Sequence, residues 1–126
     1  MALGLDTVMF DCADPMRVAR FWAEALGWEL DPEPEPGEAL VRDPTGRTEG
    51  LYFQPVPESK VAKNRLHLDL RPTGSMAAEV ERLEGIGASI VGRVDVEGSF
   101  WTVMQDPEGN ELCVLRGPED GWTPEG

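Results

Sequence analysis

Cysteine and histidine are scarce and positive charge is outnumbered: the 126 residues hold two Cys, one His, and 11 Lys+Arg against 24 Asp+Glu. Two cysteines do not make a disulfide framework, so Cys12 and Cys113, both in apolar strand-like runs, read as small buried thiols in a reducing compartment. A net charge of -13 repels phosphate backbones and anionic membrane surfaces, which excludes nucleic acid and lipid headgroups as partners. A single basic pocket is still compatible with that balance. No apolar run approaches the roughly 18 residues needed to cross a bilayer. The start, Met1-Ala2-Leu3-Gly4-Leu5-Asp6, lacks the basic segment and long apolar stretch of a secretion signal. The expectation is a soluble, cytoplasmic protein.

What is present suffices for a core, since 40% of the chain is hydrophobic. The first strand is expected over 7–11, with Val8, Phe10 and Cys12 on one face and Thr7, Met9 and Asp11 on the other. Asp14 followed by Pro15 is a helix start, because the carboxylate caps and proline has no amide hydrogen to leave unpaired. The helix runs over 15–26 and Gly27 stops it. A strand begins at 28–30, and the proline-rich loop over 31–37 ends it. Short strands follow at 39–42 and 51–54 around the turn Asp43-Pro44-Thr45-Gly46. A polar linker over 55–63 leads to a central strand over 66–70. Then come a helix over 76–84, strands at 89–94 and 100–105, the turn Asp106-Pro107-Glu108-Gly109, and a strand over 111–115. The order strand, helix, three strands is thus given twice. The two Asp-Pro-x-Gly turns, the helix-stopping Gly27 and Gly87, and Thr7 and His67 each recur at a period near sixty, the mark of a duplication. The predicted fold is α+β, a single domain over 1–116 made of βαβββ modules at 5–56 and 64–116. A loose tail is expected over 117–126.

The central stretch carries the only histidine. Alternation from Leu66 to Leu70 sets the leucines toward a helical layer, and His67, Asp69 and Arg71 on the other face with Arg65. A row of ionisable groups on one face lines either solvent or a polar cleft. Asp69 is placed to orient the imidazole of His67, an arrangement suited to general-base work, although no nucleophile stands beside it in the sequence. Asp11 takes the matching face of the first strand, as a solvated or a cleft carboxylate. Trp101 is either a stacking surface for a flat ligand or buried packing. Lys60, Lys63 and Arg65 form a basic cluster able to draw an anionic group toward the cleft.

Asp-Pro-x-x-x-x-x-Phe-Trp at 14–22, Leu26-Gly27-Trp28, and Asp106-Pro107-Glu108-Gly109-Asn110-Glu111-Leu112 resemble the glyoxalase/bleomycin-resistance/extradiol-dioxygenase (vicinal oxygen chelate) superfamily. Phe53-Gln54-Pro55-Val56-Pro57-Glu58, Lys63-Asn64-Arg65 and His67-Leu68-Asp69 are similar to its glyoxalase-like branch. The resemblance spans 5–116. It implies two half-barrel sheets with helices outside and a ligand cleft between the modules. It also implies that the superfamily's metal-ligand places fall on Thr7, Gln54 (Tyr52 as the other choice), His67 and Cys113. Only His67 is the usual ligand type. Gln54 offers a weak amide oxygen, Thr7 stands where a stronger ligand is usual, and Cys113 replaces an acid. The expected cleft residues are therefore Thr7, Asp11, Gln54, His67, Asp69, Trp101 and Cys113. No cofactor is expected, and a divalent metal, with His67 and Gln54 as weak candidates, is the lesser alternative. The leading functional expectation is binding of a small organic molecule, of the sequestration or resistance kind. The alternatives are a metal-dependent lyase, isomerase or dioxygenase, and a structural or partner-binding module. A homodimer is expected because edge strands need cover.

Overall fold

The computed structural model describes residues 2–125. The chain forms two compact units, Met1–Lys60 and Val61–Gly126. In the first, β1 (Thr7–Cys12), α1 (Pro15–Leu26), β2 (Glu29–Pro32), β3 (Ala39–Arg42) and β4 (Gly50–Pro55) follow the predicted order. The sheet runs β1-β4-β3-β2, with β1 and β4 parallel and the other neighbours antiparallel. The caps of α1 are those written in the sequence. Asp14 accepts a hydrogen bond from the Arg17 amide at 3.3 Å, Pro15 opens the helix, and Gly27 closes it in the left-handed region at φ 68°. The helix buries Val18, Ala19, Phe21 and Trp22 against the sheet. The Trp22 ring lies 5.5 Å from Phe10, which stacks on Phe53 at 4.8 Å. Each such side chain removed from water contributes about 1.5–3 kcal/mol, and this cluster is the core of the unit.

The second unit repeats the plan with β5 (Leu68–Leu70), α2 (Met76–Gly85), β6 (Ser89–Val96), β7 (Ser99–Gln105) and β8 (Glu111–Leu115) in the order β5-β8-β7-β6. β5 and β8 are parallel. Leu112, Cys113 and Val114 are buried, so β8 is covered on both faces.

The duplicated turns work alike. Asp43 takes hydrogen bonds from the Thr45 amide at 2.8 Å and hydroxyl at 2.7 Å, and from the Thr48 hydroxyl at 2.8 Å. Asp106 accepts from the amides of Glu108 at 2.9 Å and Asn110 at 3.0 Å. The Thr45 hydroxyl, ahead of its amide and the Thr48 hydroxyl, lowers the Asp43 carboxyl from 3.8 to about 2. A carboxyl whose folded pKa lies below its unfolded one stabilises the fold fully above the unfolded value, and loses that contribution as pH falls toward the folded value. Asp43→Asn is accordingly expected to lower the urea midpoint at pH 7, with the gap to the parent closing between pH 3.8 and about 2. A gap that stays constant down to pH 2 would show that the carboxylate does not hold the turn.

Two expectations are corrected. Strand β5 begins at Leu68, not Leu66, and Leu66 is 86% exposed and away from any helical layer. The segment before it is held by side chains instead of a ladder. The Asn64 amide donates to both carboxylate oxygens of Glu111 at 3.2 Å, and its side chain donates to Asn110 at 3.0 Å. The tail is also tied down where a loose segment was expected. A 3₁₀ turn at Pro118–Asp120 brings Asp120 to accept from the Met76 amide at 2.7 Å and the Gly117 amide at 2.9 Å. That carboxylate satisfies an orphan donor at the start of α2 and complements its dipole. The Gly117 and Met76 amides hold its pKa below the usual range. Arg71 lies 4.0 Å over the Trp122 ring.

Candidate functional site

Side chains alternate across a strand, so residues two apart share a face. On one face of the second sheet, β7 places Ser99, Trp101 and Val103, and β8 places Glu111, Cys113 and Leu115. Register sets Asp69 beside Cys113, Cys113 beside Val103, and Leu115 beside Trp101. These residues, with Lys63 and His67 from the segment ahead of β5, line a cavity of about 400 Å³. Trp101, Val103 and Leu115 form an apolar wall. His67, Asp69 and Cys113 form a polar end.

His67 Nδ1 lies 2.9 Å from Asp69 Oδ1. An ionised carboxylate only accepts, so the shared proton belongs to Nδ1, which donates. When the ring is neutral its lone pair lies on Nε2, and Nε2 has no hydrogen-bond partner among the described residues. Cys113 Sγ stands 3.8 Å from the same Nδ1. A relay from thiol to imidazole to carboxylate needs the two ring nitrogens to face different partners, so this is not a Cys–His–Asp nucleophile. Burial, then the Asp69 charge and hydrogen bond, push the Cys113 thiol up to about 11, with Lys63 pulling the other way. At neutral pH it is a neutral thiol.

The structure thus brings four of the expected cleft residues, His67, Asp69, Trp101 and Cys113, onto one cavity. Thr7, Asp11 and Gln54 lie on the sheet of the first unit and are not part of that lining. Thr7 donates to Asp6 at 2.6 Å. Gln54 donates its amide to Asp11 at 2.8 Å, directly across the β1–β4 pair. Tyr52 donates to Glu38, which pushes its hydroxyl up to about 12. Sequence reasoning did not single out Ser99, Val103, Glu111 and Leu115. All four follow the same period-two alternation that placed Trp101 and Cys113, although Ser99 lies one residue before the strand expected over 100–105. Glu111 is only 6% exposed, and by holding Asn64 it fixes the segment that carries His67.

The glyoxalase-like domain family model matches residues 7–115. The chain belongs to that family. It shares the vicinal oxygen chelate fold with solved glyoxalase-like structures of low sequence identity. A glyoxalase/bleomycin resistance protein/dioxygenase family enzyme from Burkholderia phytofirmans PsJN superposes with a TM-score of 0.70 at 15% identity, covering 89% of this chain and 97% of that one. A glyoxalase-related enzyme from Fulvimarina pelagi gives 0.69 at 15% identity, covering 93% and 90%. A possible glyoxalase from Bacillus cereus gives 0.66 at 18%, covering 90% and 99%. At such identities the likeness is one of fold. No curated protein sequence matches. Within the glyoxalase-like family, the chemistry of this member has to be read from its own cavity.

Proposed function

We propose that this glyoxalase-like protein binds a small organic molecule with a flat apolar part and a hydrogen-bond donor, such as a phenolic hydroxyl, and does so without a resident metal. The observation that carries the reading is the two-ended cavity: an apolar wall at Trp101, Val103 and Leu115, and a histidine fixed by Asp69 whose Nε2 has no partner among the described residues. Pockets of this size with a few convergent polar groups are typical small-molecule sites. Trp101 supplies a stacking face, His67 an acceptor, and the Lys63 ammonium a positive charge for an acidic ligand group. Sequestration of such a compound is the activity this arrangement supports.

The test is a titration with simple phenols and aromatic acids, read by tryptophan fluorescence and by thermal stabilisation. A ligand at about 100 times its Kd should stabilise the protein by about 2.7 kcal/mol. Trp101→Phe should remove most of the fluorescence change, and His67→Ala should weaken binding about tenfold, the worth of one hydrogen bond. If no compound stabilises the protein, or both variants bind like the parent, the reading is wrong.

A second reading rests on donor convergence. One donor atom each from His67, Asp69 and Cys113 lie within 4.8 Å of one another. Mixed N, O and S donors suit a zinc-type ion and not the hard, oxygen-seeking magnesium or calcium. Such an ion would have to displace the Cys113 proton, so its affinity would rise with pH. Metal analysis of protein purified without chelator separates the two readings. About one equivalent of zinc, lost in His67→Ala, would replace the metal-free reading with this one.

A further inference from the structure

The two Asp-Pro-x-Gly turns are copies in sequence, but their hydrogen bonds end in different places. In the first, the carboxylate partners of Asp43 are Thr45 and Thr48, both within the turn. In the second, Asp106 is only 3% exposed and accepts from the Asn110 amide at 3.0 Å and from its side-chain nitrogen at 2.9 Å. A carboxylate only accepts, so the amino group of Asn110 must face Asp106 and its oxygen must face away. That oxygen takes a hydrogen bond from the Asn64 side chain at 3.0 Å. The residue in the place of Asn110 in the first turn is Arg47, and it is exposed. One copy of the turn has thus come to reach outward, to the segment ahead of β5.

We propose that Asn110 is a positioning residue for the binding site: through Asn64 it sets the strap over 61–67 that brings Lys63 and His67 to the cavity. Its importance for binding follows from the acceptor role proposed above for His67. Asn64 is where the strap meets the protein, because it alone among 61–67 is half-buried while the rest are exposed. Its amide is held by both Glu111 oxygens at 3.2 Å and its side chain by Asn110. The next fixed point is Leu68, paired with Leu112 in the β5–β8 ladder. Between the two stand Arg65, Leu66 and His67, and Leu66 is 86% exposed, so apolar burial does not hold this stretch. Three residues reach at most about 11 Å. A fixed Asn64 therefore leaves the His67 ring little choice of how it meets Asp69. A strap held by so few contacts opens locally once one is lost, and either ring nitrogen can then turn to the carboxylate. Asn110 is not in the cavity lining, so its influence on a ligand passes through Asn64.

The chain has one histidine, so its imidazole signals identify themselves. The experiment is a long-range proton–nitrogen correlation spectrum of the full chain, at a pH high enough that the ring is neutral. The parent should show a single tautomer, protonated on Nδ1. Asn110→Ala and Asn64→Ala remove the same hydrogen bond from its two ends, and each should give a mixture of tautomers. Arg47→Ala, the matching change in the first turn, should leave the parent spectrum. Thermal melts check folding, and Asn64→Ala, outside the turn, decides the matter should Asn110→Ala not fold. Titration with simple phenols is the second arm. Asn110→Ala and Asn64→Ala should each weaken binding several-fold, and neither should weaken it further in a His67→Ala background. If no phenol binds the parent, the proposed function fails and the tautomers still decide the positioning. Variants that keep the single tautomer, a parent that lacks it, or losses that add to that of His67→Ala would each overturn the proposal.

Discussion

Gly50→Ala is expected to cost about 3 kcal/mol or more and to unfold the first unit at a clearly lower urea concentration. Gly50 opens β4, the strand that pairs with β1 on one side and β3 on the other. Its φ is 120°, where L side chains are strained, and a Cβ built there would meet the Val41 carbonyl oxygen at 2.0 Å and the Asp43 nitrogen at 2.8 Å. Both obstacles are backbone. They cannot swing aside as a side-chain tip would, so the β3–β4 pair must part where Val41 and Leu51 are packed. Gly85→Ala is the control: it ends α2 with nothing within 4 Å of an added Cβ. There alanine should leave the protein unchanged or raise its stability by up to about 1 kcal/mol through helix propensity. Equal midpoints for Gly50→Ala and the parent would mean that β4 does not approach β3 as described.

The same contrast explains what could be read from the chain alone. Local chemistry was legible. Asp14-Pro15 and Gly27 bounded α1, the Asp-Pro-x-Gly turns marked the β3–β4 and β7–β8 links, and alternation assigned Trp101 and Cys113 a common kind of face. Interactions between residues far apart in sequence were not. Nothing near Asn64 says that its amide is satisfied by Glu111, so alternation alone carried β5 back to Leu66. Nothing near Asp120 says that it caps the start of α2, so an acidic tail rich in glycine and proline read as loose. At the site, a His-x-Asp spacing sets two side chains on one strand face. That Asp69 bonds Nδ1 and not Nε2 is a fact of side-chain geometry that no spacing conveys.

Alkylation of Cys113 by iodoacetamide at neutral pH should run about tenfold slower than at an ordinary thiol, the greater nucleophilicity of a more basic thiolate offsetting part of its lower population. The thiolate is the nucleophile, and a thiol moved from 9.0 to about 11 carries about a hundredfold less of it. Its 6% exposure slows access further. The causes give the variants opposite signs. Asp69 raises the thiol pKa by charge and by hydrogen bonding, so Asp69→Asn should speed the reaction several-fold. Lys63 lowers it, so Lys63→Gln should slow the reaction. Peptide mass spectrometry separates Cys113 from Cys12, which is 1% exposed. Fast labelling of the parent, or an Asp69→Asn variant no faster than it, would defeat this account of the cavity. The result also bears on the two readings of function. A neutral thiol beside a fixed imidazole leaves the polar end of the cavity without a nucleophile, which is what a binding site needs and a covalent catalyst cannot use. An ion held by His67, Asp69 and Cys113 would instead draw off the thiol proton, so zinc should lower the pH at which Cys113 loses its proton while shielding it from the reagent. Labelling rates that zinc leaves untouched at every pH would speak for the metal-free cavity.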